Sequence, residues 1–150
     1  MIKPYKISVP KSTLNNIYKK VRAYPWKMMQ NVDGWEYGTN YNFLKKISRY
    51  WVSKYNWKKF ENKINSFKNY KTNVDGINLH FIIEKSKNPK SRPLLLLHGW
   101  PGSVIEFFEI IPKLAHPEKF GGKIEDGFDV IVPSLPGFGF STPIKKALGP

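Results

Sequence analysis

The sequence predicts an α/β fold in which a helical N-terminal segment and a β-hairpin precede the start of a parallel sheet. Apolar residues first recur with the 3.6-residue period of helices and then, near residue 70, with the two-residue period of strands. Further along, two unbroken apolar runs flank another helical pattern, which is typical of strands buried on both faces. Residues 1–92 carry 20 Lys and Arg against 5 Asp and Glu, whereas residues 93–150 carry 5 against 6. We therefore place a domain boundary between residues 92 and 93.

Three helices are predicted in the first part. Apolar residues from Leu14 to Val21 follow helical spacing, with Pro10 in the first turn. A loop over residues 25–40 follows, and Thr39 or Asn40 is placed to cap the second helix. The apolar faces of the second and third helices are formed by Leu44, Ile47 and Trp51, and by Trp57, Phe60, Ile64 and Phe67.

A β-hairpin is predicted where the period changes. Tyr70–Val74 alternates, Asp75-Gly76 supplies a two-residue turn, and Ile77–Ile83 alternates on the way back. The polar stretch Lys85–Pro93 then leaves the hairpin and coincides with the change in charge.

The second part reads as strand, helix and strand, at Leu94–Leu97, Val104–Leu114 and Phe128–Val132. This order with unbroken apolar strands indicates a parallel sheet that is covered on both faces. Each strand is followed by a loop rich in glycine and proline, HGWPGS after the first and PSLPGFGFS after the second. Ligands of open α/β sheets bind beyond the carboxyl ends of the strands, so we expect both loops on the binding side.

Composition excludes several kinds of protein. There is no cysteine, which removes disulfides, thiolate metal sites and cysteine nucleophiles. No apolar run approaches the roughly 20 residues of a membrane span, and MIKPYKISVP at the start is not a signal peptide, so we predict neither kind of segment. Of the 25 cationic residues 22 are lysines, and the pairs among them, such as Lys19-Lys20, Lys45-Lys46 and Lys58-Lys59, are scattered over predicted helix faces. Recognition patches favour clustered arginine, so we expect no nucleic-acid partner. Zinc, P-loop and dinucleotide motifs are also missing from the sequence, and we expect no metal or cofactor.

Both loops carry a family resemblance. HGWPGS followed by EF and IIP, and then DVIVPSLPGFGFS, resembles the start of the α/β-hydrolase domain of microsomal-type epoxide hydrolases, which include the juvenile hormone epoxide hydrolases. The N-terminal domain of that family is similar to ISVP at residues 7–10, GWEYGT at 34–39, the spacing from Tyr50-Trp51 to Asn56-Trp57, and KTNVDGINLHF at 71–81. The resemblance implies an enzyme that converts a small hydrophobic epoxide and water into a vicinal diol.

The resemblance also implies roles for particular residues. In such enzymes an aspartate attacks the epoxide to form an ester, which a histidine-activated water then hydrolyses through an oxyanion. Trp100 would donate its backbone N–H to that oxyanion, and its bond to Pro101, which has no N–H, would be cis. His98, Gly99, Pro101 and Gly102 would shape the loop. Trp35 and Tyr37 would line the substrate channel, although both could instead be core aromatics.

For other polar residues the structural interpretation is preferred. A histidine at a strand end more often orients a loop than acts as a base, so we expect His98 to orient its loop. Ser103 is placed as a helix N-cap rather than as a nucleophile. His80 and His116 have no base-like partner at a suggestive spacing. We expect Asp126 and Asp129 at the start of a strand, away from the site.

The nucleophile, second acid and histidine base of the family match nothing in these 150 residues. We therefore expect the N-terminal portion of an epoxide hydrolase, with the hydrolase fold incomplete, that turns over no substrate by itself. The alternatives are a haloalkane or ester hydrolase with the same loop, or a catalytically dead product that binds a ligand or partner. The expected location is the cytoplasm or the surface of the endoplasmic reticulum membrane, and peripheral membrane association stays open.

Overall fold

The computed structural model describes residues 1–30 and 34–144. The chain forms two compact units, one of residues Ser8–Glu61 and one that joins Met1–Ile7 to the residues from Asn62 onward. This division differs from the predicted boundary between 92 and 93, because the hairpin pairs both with an N-terminal strand and with a strand near residue 130. A boundary at 92 stays a prediction.

The first unit is helical. It contains α1 (Lys11–Arg22), α2 (Tyr41–Ser53) and most of α3 (Trp57–Asn65), with a 3-10 turn at Trp26–Met28. Asn40 caps α2 as predicted, since its Oδ1 accepts the Phe43 N–H at 2.9 Å. Pro10 lies just before α1 as its N-cap rather than within the first turn.

Glu61 holds the ends of this unit together. Its carboxylate accepts hydrogen bonds from Lys58 Nζ at 2.5 Å, the Val9 backbone N–H at 2.7 Å and Trp57 Nε1 at 2.9 Å. The hydrogen bonds from Lys58 and then Val9 lower the pKa of Glu61 to about 2, against the opposing effect of burial. A carboxylate in this position is therefore kept charged in the folded protein.

The second unit is built on a mixed sheet with the strand order β1-β2-β3-β5-β4. Its strands are β1 (Lys3–Pro4), β2 (Asn69–Val74), β3 (Ile77–Glu84), β4 (Pro93–Leu95) and β5 (Asp129–Pro133). The predicted hairpin is β2 and β3, and its turn has φ of +50° at Asp75 and +84° at Gly76, the left-handed pair that matches strand twist. β4 and β5 are parallel, as predicted, whereas β3 and β5 are antiparallel.

The predicted helix Val104–Leu114 is wrong as a single element. The chain instead forms a 3-10 turn at Val104–Phe107 and then α4 (Ile111–Ala115), with Pro112 in the first turn of α4. A continuous helix would need an N–H at residue 112 to donate to the carbonyl four residues earlier, and proline has none. In the first turn of α4 that N–H is not needed, so Pro112 is accommodated there. Two further 3-10 turns, Pro117–Phe120 and Ile124–Asp126, lead to β5.

The leucine run is also less buried than predicted. β4 ends at Leu95, and Leu95 and Leu97 are each 57% exposed. Leu94 and Leu96 are half-buried, so one face of this segment is covered and the other is exposed. Within the described residues β4 is also an outer strand of the sheet. The core instead centres on β5, which lies between β3 and β4. Its fully buried side chains belong to Ile7, Ile64, Ile82, Ile111, Val130 and Val132.

Candidate active site

The two loops rich in glycine and proline contact each other directly. Because β4 and β5 are parallel, the residues that follow them leave the sheet at the same edge. The Leu135 backbone N–H donates to His98 Nε2 at 3.0 Å. The Phe138 ring also meets the His98 ring edge-on, with 5.3 Å between centroids. The residues predicted to share the binding side are therefore brought together.

His98 is held by backbone groups on both sides of its ring. It is 4% exposed. Because Nε2 accepts the Leu135 N–H, the ring proton lies on Nδ1, which donates to the Gly99 carbonyl at 3.0 Å. Neither nitrogen has a lone pair left for proton abstraction, so the geometry favours the orienting interpretation over the base.

Trp100 follows this anchored histidine at the tip of the loop. Its backbone N–H makes no hydrogen bond to any residue within 1–30 or 34–144. Pro101 has no N–H, and the Trp100–Pro101 bond is cis. Trp100 is 84% exposed, so its large side chain does not pack in the core. The Trp100 N–H is therefore an uncommitted donor, and within the described residues those of Gly99 and Gly102 beside it are uncommitted as well.

Gly102 and Ser103 close the loop. A Cβ at Gly102 would overlap the Glu106 carboxylate and come 2.6 Å from the Gly99 carbonyl oxygen, so the close approach of the chain to itself requires glycine. The Ser103 N–H donates to Glu106 Oε1 at 3.0 Å, and Ser103 Oγ accepts the Ile105 N–H at 3.4 Å. This is a capping box, and it confirms Ser103 as an N-cap.

His80 is the residue whose environment sequence reasoning missed. It lies in β3, is fully buried, and has Ser134 Oγ 2.8 Å from Nδ1 and Asn69 Oδ1 3.0 Å from Nε2. Its backbone N–H donates to Ser141 Oγ at 2.8 Å. Burial, with a smaller contribution from the charge of Lys71, lowers the pKa of His80 to about 4. The histidine is therefore neutral at physiological pH.

The other polar candidates lie at the opposite end of the strands. His116 does have an acidic partner, since its Nε2 is 2.9 Å from Glu84 Oε1, but the two are 32 residues apart and spacing could not reveal them. Glu84 ends β3, opposite Val130 near the start of β5. Asp129 begins β5 and binds Lys85, which confirms its predicted place away from the loops.

Trp35 and Tyr37 are not core aromatics, since they are 59% and 91% exposed. Tyr37 lines a cavity of about 330 Å³ together with Met29 and Tyr41, in the first unit. Trp35 packs on Phe43, with 5.2 Å between ring centroids. Their predicted place in a substrate channel stays a prediction.

Two properties of the described residues bear on metal binding and on membrane crossing. In residues 1–30 and 34–144, no three His, Asp or Glu side chains converge as metal ligands would. None of the helices in the same ranges combines the length and apolar character that a bilayer crossing demands.

Comparison with known families gives two matches. The family described as epoxide hydrolase N terminus matches residues 2–107, and the α/β-hydrolase fold family matches residues 92–147. The second match begins where the charge of the sequence changes and contains both loops described above.

Individual relatives agree with these matches. The chain is 46% identical over 140 residues to a putative epoxide hydrolase of Stigmatella aurantiaca, covering 93% of this chain and 32% of that protein. It is 37% identical to epoxide hydrolase 1 of Oryctolagus cuniculus, covering 97% and 33%. The crystal structure of juvenile hormone epoxide hydrolase from the silkworm Bombyx mori superposes with a TM-score of 0.82 at 33% identity, covering 97% and 35%. The chain thus spans about a third of the length of these relatives.

Proposed function

The chain belongs to the epoxide hydrolase N-terminus family, and from that premise we propose that it is part of an enzyme that converts epoxides into vicinal diols. The relatives that support this are named as epoxide hydrolases, and the fold of the second unit is that of the α/β hydrolases. An epoxide is therefore a better substrate class for this chain than a haloalkane or a carboxylic ester.

The observation that carries the proposal is the uncommitted Trp100 N–H beside an anchored His98. In the proposed reaction an aspartate elsewhere in the enzyme attacks an epoxide carbon, the C–O bond breaks, and the released oxygen takes up a proton. A water that gives a proton to a base elsewhere in the enzyme then adds to the carbonyl carbon of the ester, and the negative charge collects on the carbonyl oxygen. Collapse of this intermediate breaks the ester C–O bond, releases the diol with a proton returned by the base, and restores the aspartate. A fixed N–H at the carbonyl oxygen stabilises the charge and needs no reorganisation during the reaction.

The experiment replaces the Trp100 amide by an ester in the protein encoded by the complete reading frame that contains these residues. Incorporating the α-hydroxy analogue of tryptophan removes the N–H and keeps the indole. Loss of one oxyanion donor typically lowers kcat by about 10²–10³, so we expect a fall of that size and accumulation of the covalent ester. Trp100→Ala is the matched control, because it keeps the N–H and removes an exposed side chain. Unchanged turnover of styrene oxide in the ester variant would contradict the proposal.

Substrate class is tested on the same enzyme with three probes: styrene oxide, a 1-haloalkane and a p-nitrophenyl ester. Turnover confined to the epoxide supports the proposal. Turnover of only the halide or only the ester would assign the chain to another α/β hydrolase. Binding of styrene oxide without turnover of any probe would indicate a catalytically dead ligand-binding protein.

An apolar groove formed by α2, the turn after it and the start of α3 supports peripheral contact with a membrane. We include this contact in the proposal, together with a location in the cytoplasm or at the endoplasmic reticulum surface. Ile47, Tyr50, Trp51, Tyr55 and Trp57 line an apolar groove of about 360 Å³. Lys46, Lys54 and Lys58 neighbour them in the sequence. Aromatic side chains combined with lysines suit the interface of an anionic bilayer.

Vesicle binding tests this surface. The chain is expected to co-sediment with vesicles of phosphatidylcholine and phosphatidylserine more than with phosphatidylcholine alone. Trp51→Ser should weaken that binding, whereas Met28→Ser, at an exposed apolar residue outside the groove, should not. Equal binding by both variants and the unmodified chain would refute the membrane contact.

A further inference from the structure

The proton on the buried His80 can be placed from its neighbours. Asn69 Nδ2 donates to the carbonyls of Ile64 and Phe67 at 2.9 and 2.8 Å, so Asn69 Oδ1 is the atom that faces His80 and can only accept. His80 Nε2 therefore carries the proton, and Nδ1 accepts the hydroxyl hydrogen of Ser134. This is the opposite tautomer to that of His98.

The same histidine holds both ends of the loop formed by residues 134–141. Ser134, at the first end, binds the ring, and Ser141, at the last, accepts the His80 backbone N–H and donates its hydroxyl to the Ser134 carbonyl at 2.7 Å. Phe140 packs edge-on against the His80 ring with 5.2 Å between centroids. Ser134, Ser141 and His80 are all at most 1% exposed, so solvent does not compete for these bonds.

Ser134 is followed directly by Leu135, whose N–H orients His98. We call residues 98–103 the oxyanion loop. A continuous series of contacts thus runs from the hairpin to this loop, through the Ser134 hydroxyl, the Leu135 N–H and the His98 ring to the Gly99 carbonyl. Ser134 and Leu135 are joined by their peptide bond, and the other links are hydrogen bonds. Trp100 is the first residue after this series.

We propose that His80 is a positioning residue for the oxyanion loop: by binding the Ser134 hydroxyl through Nδ1 it sets the Leu135 N–H that orients His98 and the loop to Trp100. The benefit to catalysis rests on the proposed function of Trp100, but the positioning itself is a property of this chain. His80 touches neither substrate nor reacting atoms, so it acts only through Ser134 and His98.

Two substitutions separate positioning from general stability. Asparagine places an acceptor oxygen where His80 Nδ1 lies, so His80→Asn keeps the bond to Ser134 and loses the bond to Asn69. Glutamine reaches the place of Nε2, so His80→Gln keeps the bond to Asn69 and loses the one to Ser134. Each variant loses one buried hydrogen bond.

Two further variants serve as checks. Ser134→Ala removes the same link as His80→Gln while leaving His80 in place, and it decides the question if His80→Gln does not fold. Ile111→Val, in the core away from the loops, controls for lowered stability.

The readouts are nuclear magnetic resonance measurements on the ¹⁵N-labelled 150-residue chain. They are the exchange rate of the Leu135 amide, the ring ¹⁵N shifts of His98, and the order parameters of Gly99 and Trp100. We expect at least tenfold faster Leu135 exchange, mixed His98 tautomers, and order parameters below about 0.6 in His80→Gln and Ser134→Ala. His80→Asn and Ile111→Val should keep the values of the unmodified chain.

Two outcomes would overturn the inference. One is an ordered loop and a protected Leu135 amide in Ser134→Ala. The other is that, in all four variants, the Leu135 exchange rate and the order parameters of Gly99 and Trp100 change only in proportion to the loss in free energy of unfolding. Because these readouts need no turnover, a failure of Trp100 as oxyanion donor would appear only in the ester-substitution kinetics and leave this result unchanged.

Discussion

Acidification from pH 7.5 to 4.5 is expected to lower the free energy of unfolding through His80. Its pKa falls from the ordinary 6.5 to about 4 in the folded protein because the ring is buried. Between these two values the unfolded chain binds a proton that the folded chain does not, so stability decreases as the pH falls. One pKa unit corresponds to about 1.4 kcal/mol, and titration over this interval gives a loss of roughly 2–3 kcal/mol. The contribution of His80 to the free energy of unfolding is fully present above pH 6.5, and it is lost progressively as the pH falls from 6.5 through 4.

The assay is urea unfolding of the 150-residue chain and of His80→Asn at half-unit pH steps. His80→Asn has no titrating group at this position, so the difference between the two free energies isolates the contribution of His80 from that of every other acid and base. That difference should shrink by roughly 2–3 kcal/mol from pH 7.5 to 4.5. A difference that stays constant within about 0.5 kcal/mol would refute the assignment of a buried, neutral histidine.

Three further predictions concern stability. Ser141→Ala leaves the buried His80 N–H without an acceptor and should cost about 1–3 kcal/mol by urea unfolding, with Ser53→Ala, at an exposed helix end, as a near-neutral control. Gly139→Ala should cost about 1–3 kcal/mol and lower the melting temperature, because its φ is +49° and a Cβ would lie 2.9 Å from Ser134 Oγ. Glu61→Gln should make the melting temperature fall less steeply from pH 4.5 towards 2. Hydrogen bonds from a lysine and a backbone N–H lower the pKa of Glu61, and they stabilise the fold only while its carboxylate stays charged. Parallel pH curves for Glu61→Gln and the unmodified chain would contradict the last.

Features that depend on neighbours in sequence were predictable. The Asp75-Gly76 turn, the Asn40 cap and the Ser103 cap each follow from a side chain or a φ value within three residues. The split of the helix after Val104 was also visible, because Pro112 lies inside the predicted segment. The apolar period continues across Pro112, but the missing N–H ends the ladder of helical hydrogen bonds.

Features that depend on distant partners were not predictable. Whether Leu95 and Leu97 are covered depends on what packs on their face of the sheet, and the run of leucines is the same in either case. His80 meets Ser134 and Ser141 at separations of 54 and 61 residues, and no local pattern joins them. The available signal was one polar residue between apolar neighbours in Leu79–Ile82, which predicts a solvent-facing side chain in a strand covered on one face only. β3 is covered on both faces, so that inference fails.

The central place of β3 has a consequence for synthesis. β2 and β3 are adjacent in sequence and can pair as soon as both have left the ribosome, but β5, the other partner of β3, begins 45 residues after Glu84. At about 5–20 residues per second, that interval lasts about 2 to 9 s. Throughout it, one edge of an apolar strand stays open on a growing chain, where it can template pairing with other strands. Slowing translation between the hairpin and β5 would lengthen this exposure and lower the yield of folded protein while leaving the stability of the finished fold unchanged.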